Sequence, residues 1–317
     1  MKRAFLYLFL AVASFACPLP VYPAAPRETI EQSYDFASGG KVRVVNVNGP
    51  MEISSWDRQQ CRIVAVKELC RPDSGGAKMF EDVKVDISRK EDMIEIATRF
   101  PENDLTMNKA LDFNIDWNWN KQEEGLIAYT VRWLSEFFSG FAEKASGALE
   151  EHVSVSVAYE ICVPRNCDVE VKNVLGNIEL TGLRGVAETN CVSGEIRVEG
   201  QDGSLKANTV NGAISVTGSS GFIQTNSVNG SVDVKLDKDH PVQELLCNAV
   251  NGSIRIELPV DLGADVELSS LAGGLSLDPA LGLERKLGGK QAKGLIGSGG
   301  TKIRARVVSG SVALERK

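Results

Sequence analysis

The chain has 317 residues, 43% hydrophobic and 24% charged, a composition that excludes a disordered polymer and a polytopic membrane protein. Its 35 basic and 42 acidic side chains leave a formal charge of -7, or -9 once Lys2 and Arg3 are removed with a leader. That sign argues against a nucleic-acid partner, which needs basic surface to neutralise phosphate.

Lys2 and Arg3 precede the apolar run Ala4 to Ala13, too short to span a bilayer and the length of a secretory h-region. Residues 1–25 therefore read as a signal peptide, and the protein as exported to the periplasm or cell surface. Two cleavage points compete. Ala24-Ala25 gives the longer leader, whereas Ser14-Phe15-Ala16 supplies small residues directly before Cys17. The stretch Ala13 to Cys17 resembles a lipoprotein box, with Ser14 where leucine is usual. Cys17 is accordingly a candidate lipidation site and the single route to a membrane.

Residues 28–100 read as a strand-rich part of the fold. Val83-Lys84-Val85-Asp86-Ile87 and Met93-Ile94-Glu95-Ile96-Ala97 alternate apolar and polar, the period-two signature of half-buried strands. Cys61 and Cys70 are candidates for a disulfide closing a short loop in an oxidising compartment, with small buried thiols as the competing reading.

Strand character stops at Pro101. Residues 101–150 contain Trp117, Trp119 and Trp133, three of the four tryptophans. From Ile127, apolar residues recur at Val131, Leu134, Phe138, Phe141, Ala145 and Leu149, spacings of three and four that predict an amphipathic helix. Such a helix either packs on the neighbouring strands or offers Trp117, Trp119, Trp133, Phe137 and Phe138 to a protein partner.

Residues 151–317 carry a repeat. Gly176, Gly194, Gly212 and Gly230 stand 18 residues apart within Val-x-Gly-x-Ile/Val units, and Gly252, Gly273 and Gly310 continue the lattice less regularly. Val47-Asn48-Gly49-Pro50-Met51-Glu52-Ile53 looks like an outlying copy. Each unit holds two alternating segments separated by glycines, and none buries its apolar face alone. Stacked at the strand spacing, successive units make one continuous core. The fold predicted is all-β, a single-stranded, β-helix-like solenoid of about 18 residues per coil with a helical insertion.

Asn190, Asn208, Asn226 and Asn248 share one register of this lattice and Asn211, Asn229 and Asn251 another. Stacked amides of this kind are scaffold before they are ligand sites. Cys162 and Cys167 flank Val163-Pro164-Arg165-Asn166, so a disulfide there would close a hairpin, whereas Cys191 and Cys247, three coils apart, are too distant to pair.

Catalytic residues are not visible. The outward columns of the repeats, such as Arg197, Ser215, Asp233 and Arg255, stack no carboxylates for a cation-dependent lyase. His152 starts a strand and His240 lies in an inserted loop around Lys238-Asp239-His240-Pro241. No zinc-ligand spacing occurs and no cofactor motif is present.

The repeated Val-Asn-Gly and Val-Ser-Gly strands, the run Ile296-Gly297-Ser298-Gly299-Gly300 and the closing Val307-Val308-Ser309-Gly310-Ser311-Val312-Ala313-Leu314 resemble the bacterial putative-adhesin family, exported β-strand-repeat proteins whose domain has no known function. The resemblance covers residues 150–317 well and 40–100 weakly, and brings no catalytic residues. It implies an exported solenoid of the cell envelope, and the role read for the chain is a non-catalytic, adhesin-like binding or scaffold module with an envelope protein or surface glycan as partner. A carbohydrate-active enzyme on a β-helix scaffold and an envelope assembly or stress-response component are the competing readings.

Overall fold

A computed structural model describes residues 25–70, 76–101, 154–286 and 288–317. Calls on residues 1–24, including Cys17, and the predicted helix with Trp117, Trp119, Trp133, Phe137 and Phe138 lie outside the described residues.

Five coils follow one another along the chain, each a long strand, a turn at the repeat glycine, and a short strand. They are β8 and β9 (Asp168–Leu175, Ile178–Thr181), β10 and β11 (Arg184–Ser193, Ile196–Glu199), and β12 and β13 (Asp202–Asn211, Ile214–Thr217). β14 and β15 (Ser220–Asn229, Val232–Lys235) and β16 and β17 (Val242–Asn251, Ile254–Leu258) complete the five. Long strands stack in parallel in one sheet and short strands in the other. Each coil thus holds two strands, the two alternating segments read in each repeat unit.

Register is carried by columns of identical chemistry. Ala187, Leu205, Ile223, Leu245 and Ile303 form one inward column of the long-strand sheet, and Ile178, Ile196, Ile214, Val232 and Ile254 face them from the other. All are buried. A one-residue slip would turn every such side chain to solvent, so burial fixes the pairing.

The repeat glycines lie one above another. A Cβ on Gly194 would stand 2.2 Å from the carbonyl oxygen of Gly176, one on Gly212 2.0 Å from Gly194, and one on Gly230 1.9 Å from Gly212. Gly212 and Gly230 have no left-handed φ; what they lack is room. Their amides continue the ladder round the turn, Gly212 N–H donating to Asn229 and Gly230 N–H to Asn251 at 3.0 Å.

Both ends of the solenoid are built from distant sequence. β2 and β3 (Lys41–Asn48, Met51–Trp56) form a coil against β8 and β9. Beyond β3 lie β7 (Val155–Pro164), then β4 (Gln60–Leu69) and β1 (Arg27–Asp35), the last two pairings antiparallel. Beyond β2 lie β6 (Met93–Arg99) and β5 (Lys84–Lys90). The helix α1 (Gly76–Asp82) meets β4 and β7, and its Met79 and Phe80 pack on the core. Lys67 is buried here, its Nζ 4.5 Å from the Phe80 ring centroid and donating to the Val83 carbonyl. The charged edge strand β1 ends the sheet, which discourages further pairing.

At the other end the chain order is broken. β18 and β19 (Ala264–Ala272, Leu275–Leu277) form the outermost coil, and the C-terminal β22 and β23 (Thr301–Ser309, Val312–Arg316) fill the gap between them and β16 and β17. A hairpin of β20 and β21 (Glu284–Lys286, Gln291–Ile296) closes the long-strand sheet. The glycine lattice follows space, not sequence: Gly310 sits on Gly252 and Gly273 on Gly310.

Candidate functional site

The amide columns are scaffold. Asn208 donates to Asn190 at 2.9 Å, Asn226 to Asn208 at 2.7 Å, and Asn248 to Asn226 at 2.9 Å, all buried. This ladder satisfies polar groups that burial would otherwise leave costly. A second, exposed ladder joins Asn211, Asn229 and Asn251.

The cysteine pairings inferred from proximity in sequence are corrected. All six described cysteines are free thiols. Cys61 is the second residue of β4 and Cys70 follows its last, so extended backbone holds them roughly 30 Å apart, against the ~7 Å limit for a disulfide. Cys167 is buried, while Cys162 projects outward beside Ser54, its Sγ 3.6 Å from that hydroxyl. Burial pushes the thiols of Cys61, Cys167, Cys191 and Cys247 up to about 12.

A carboxylate row also appears where the repeats alone showed none. Register places Glu160 of β7, Glu52 of β3 and Glu179 of β9 side by side on three neighbouring strands. Arg62 Nη1 lies 3.5 Å from Glu160 and Arg197 follows Glu179 in the same row. Basic groups thus flank both ends, and no described group of three or more His, Cys, Asp or Glu has an arrangement able to hold a metal ion.

A groove of about 580 Å³ runs along one corner of the solenoid, where short strands pass into the next long strand. Two residues make that corner in three successive coils: Gly182 and Leu183, Gly200 and Gln201, Gly218 and Ser219. Between β15 and β16 the corner takes six, Leu236 to Pro241, which stretches the glycine interval there to 22. The longer loop forms a rim, with Asp239, His240 and Pro241 lining the groove.

Its floor is bare backbone. A Cβ on Gly203 would meet the Gly185 carbonyl oxygen at 2.4 Å, and one on Gly221 that of Gly203 at 2.1 Å. Polar groups ring it. Arg184 Nε lies 2.9 Å from Asp202 Oδ2, and Ser220 Oγ donates to Asp202 Oδ1 at 2.6 Å. Asp237 Oδ1 accepts from the backbone N–H groups of Asp239 and His240 and lies 2.9 Å from His240 Nδ1. At the other end Arg165 forks onto Asp57 at 2.6 and 3.3 Å, near Trp56, whose ring carries Arg58 5.0 Å from its centroid.

These contacts explain the electrostatics. The Ser220 hydroxyl, helped by the Arg184 guanidinium and His240, holds the Asp202 carboxyl below its ordinary value despite partial desolvation. Burial raises Asp237, but the His240 ring and the loop amides outweigh it and leave the carboxyl lowered. The Ser220 hydroxyl is engaged by Asp202, so the groove presents a chain of hydrogen-bonded polar groups. The sequence placed His240 in an inserted loop; what it hid was the groove below, whose floor comes from coils up to 60 residues earlier.

The class this geometry defines is a β-solenoid of two-strand coils with a polar corner groove. Residues 165–315 match the family model Toastrack DUF4097, over the stretch that carries the Val-Asn-Gly and Val-Ser-Gly repeats. No curated protein matches the chain. Among solved structures, one described as a putative cell adhesion protein from Clostridium sporogenes ATCC 15579 shares 11% identity, covering 92% of this chain and 100% of its own, with a TM-score of 0.32. Another, described as a putative adhesin from Bacteroides fragilis NCTC 9343, shares 9% identity, covering 90% of this chain and 97% of its own, with a TM-score of 0.29. Scores this low carry no argument about shape or role.

Proposed function

We propose that this is an exported cell-envelope protein acting as a non-catalytic, adhesin-like binding module, and that the corner groove is its contact surface for a surface glycan. One observation carries the reading: the repeat is interrupted at Leu236–Pro241, and the extra residues set the His240–Asp237 pair on the rim of a groove floored by glycine backbone. Alternating donors and acceptors along Arg184, Asp202, Ser220 and His240 suit a polyhydroxylated ligand, with Trp56 near one end as a stacking surface. The Toastrack match supports the module, and the residues before Pro26 support export. Residues 101–150, with Trp117, Trp119, Trp133, Phe137 and Phe138, add a contact for an envelope protein.

Binding to a panel of cell-wall and surface glycans tests the groove. The double variant Arg184→Ala, His240→Ala should lose at least tenfold in affinity while keeping its melting temperature within a few degrees; equal binding by both proteins rejects the groove. Intact-mass measurement of the mature amino terminus tests export, since a diacylglyceryl-modified Cys17 and an unmodified residue after Ala25 differ in mass. An unprocessed Met1 in the envelope-free fraction contradicts it. Pull-down with and without residues 105–150 tests the second contact.

A further inference from the structure

The C-terminal strands occupy an internal slot rather than an end. β22 pairs in parallel with β16 on one side, from Glu244 opposite Lys302 to Asn251 opposite Ser309, and with β18 on the other, from Ala264 opposite Thr301 to Ala272 opposite Ser309. β23 lies likewise between β17 and β19. Ile303, Ala305, Val307, Val312 and Leu314 are fully buried. β18 and β19 pair with no strand of the earlier coils; their pairing reaches the solenoid through residues 301–316 alone. The last 17 residues are therefore a separable wedge with a complete, sequence-specific socket.

The connection into that wedge is short. Ile296, the end of β21, and Thr301, the start of β22, both sit opposite Ala264, on its two sides. The linker Gly297-Ser298-Gly299-Gly300 must pass over β18 to join them, with left-handed φ at Gly297, Gly299 and Gly300. Two strand spacings make that distance ~9.6 Å. The four linker residues cover it with slack, because five Cα steps reach ~19 Å.

We propose that this wedge is exchangeable: a second copy of the chain donates its own residues 301–316 into the socket, giving a reciprocal, strand-swapped dimer. The occupant of the socket is known from the structure, and an identical segment from another molecule meets the same register, the same glycine contacts at Gly252 and Gly273, and the same buried column. The difference between the closed monomer and the exchanged dimer lies in the linker, the usual control point of domain swapping.

Deleting Ser298, Gly299 and Gly300 from the full-length chain tests this. Only Gly297 then joins Ile296 to Thr301, and two Cα steps reach ~7.6 Å, short of the ~9.6 Å that the closed form needs. The expected product has native strand content by circular dichroism and twice the monomer mass by light scattering. A monomer with unchanged melting overturns the proposal. In excess, a synthetic peptide of residues 300–317 should fill the sockets and halve the mass of the dimer, whereas the same peptide carrying Val307→Asp should not. A dimer indifferent to the first peptide is held by another surface and also overturns the proposal. Should the deletion prevent folding, the chain ending at Gly299 replaces it: the peptide must raise its cooperative melting, and failure to do so is again decisive against exchange.

Discussion

The middle of this solenoid and its two ends obey different rules. Between Arg184 and Lys235 each strand pairs with the strand one coil before and one coil after in sequence, so every coil templates the next. At the ends, neighbours in space are far apart in the chain: β3 lies beside β7, more than 100 residues away, and β16 beside β22. The middle is a local code repeated, whereas the ends depend on non-local closure and need antiparallel strands, α1 and charged edges to stop the sheets.

The largest contrast should come from the glycines. Gly230→Ala places a Cβ 1.9 Å from the Gly212 carbonyl oxygen, backbone that two flanking coils hold in place. We expect a loss of about 4 kcal/mol or more, read from urea midpoints at constant slope. Gly274 occupies the turn of the outermost coil with nothing within 4 Å of its Cβ position, so Gly274→Ala should change stability by no more than about 0.5 kcal/mol. Equal effects would mean that the stacked turns of the middle can move apart, and the templating argument would fail.

The buried amides sharpen the same contrast within one column. Asn208 donates to Asn190 and accepts from Asn226, while Asn190, at the ladder's last rung, only accepts. Asn208→Ala removes two buried hydrogen bonds, at about 2–3 kcal/mol; Asn190→Ala removes one, at about 1–2 kcal/mol. Denaturation of both variants at one pH settles the order.

Thiol chemistry separates the regions kinetically. With the thiols of Cys61, Cys167, Cys191 and Cys247 raised to about 12 by burial, their thiolate fraction at pH 8 is about 10⁻⁴. Iodoacetamide at that pH should modify exposed Cys70 first among the described cysteines, and Cys247 only after global unfolding. Early labelling of Cys61 but not Cys247 would show that the amino-terminal end opens before the middle.

How much of this was legible in the sequence follows the same division. The 18-residue glycine interval, the two segments per coil and the Asn190 to Asn248 column are readable because each is a local pattern repeated. The insertion of β22 and β23 is not, because the 37 residues from Gly273 to Gly310 look like two missing periods when they are one coil laid down out of order. The Glu160, Glu52 and Glu179 row escapes for the same reason. The disulfide candidates failed because nearness in sequence was taken for nearness in space: residues at the two ends of an extended strand, or on opposite faces of a corner, do not meet.

The smallest expected effects are electrostatic, and they compare the corner of the middle coils with the chain's last residue. Asp202 is held below its ordinary 3.8 chiefly by the Ser220 hydroxyl, and Glu257 below its ordinary 4.5 chiefly by Lys317, 2.7 Å away. A carboxyl lowered by folding adds stability that is complete above its unfolded value and is lost as pH falls through the folded one. Both contributions are therefore present at pH 7 and fade below about pH 4. Arg184 and Lys317 are largely exposed, so each pair is worth less than about 1 kcal/mol. Asp202→Asn should flatten the acid limb of the stability profile at any point of the transition, because the corner unfolds with the whole stack. Glu257→Gln frees the Lys317 ammonium from β17, leaving only its backbone N–H donating to the Leu258 carbonyl at 2.9 Å, and should act on the C-terminal wedge first. Protection of the β23 amides against hydrogen exchange at pH 7 should fall in Glu257→Gln and hold in Asp202→Asn; equal losses would mean that the wedge and the middle coils unfold as one body.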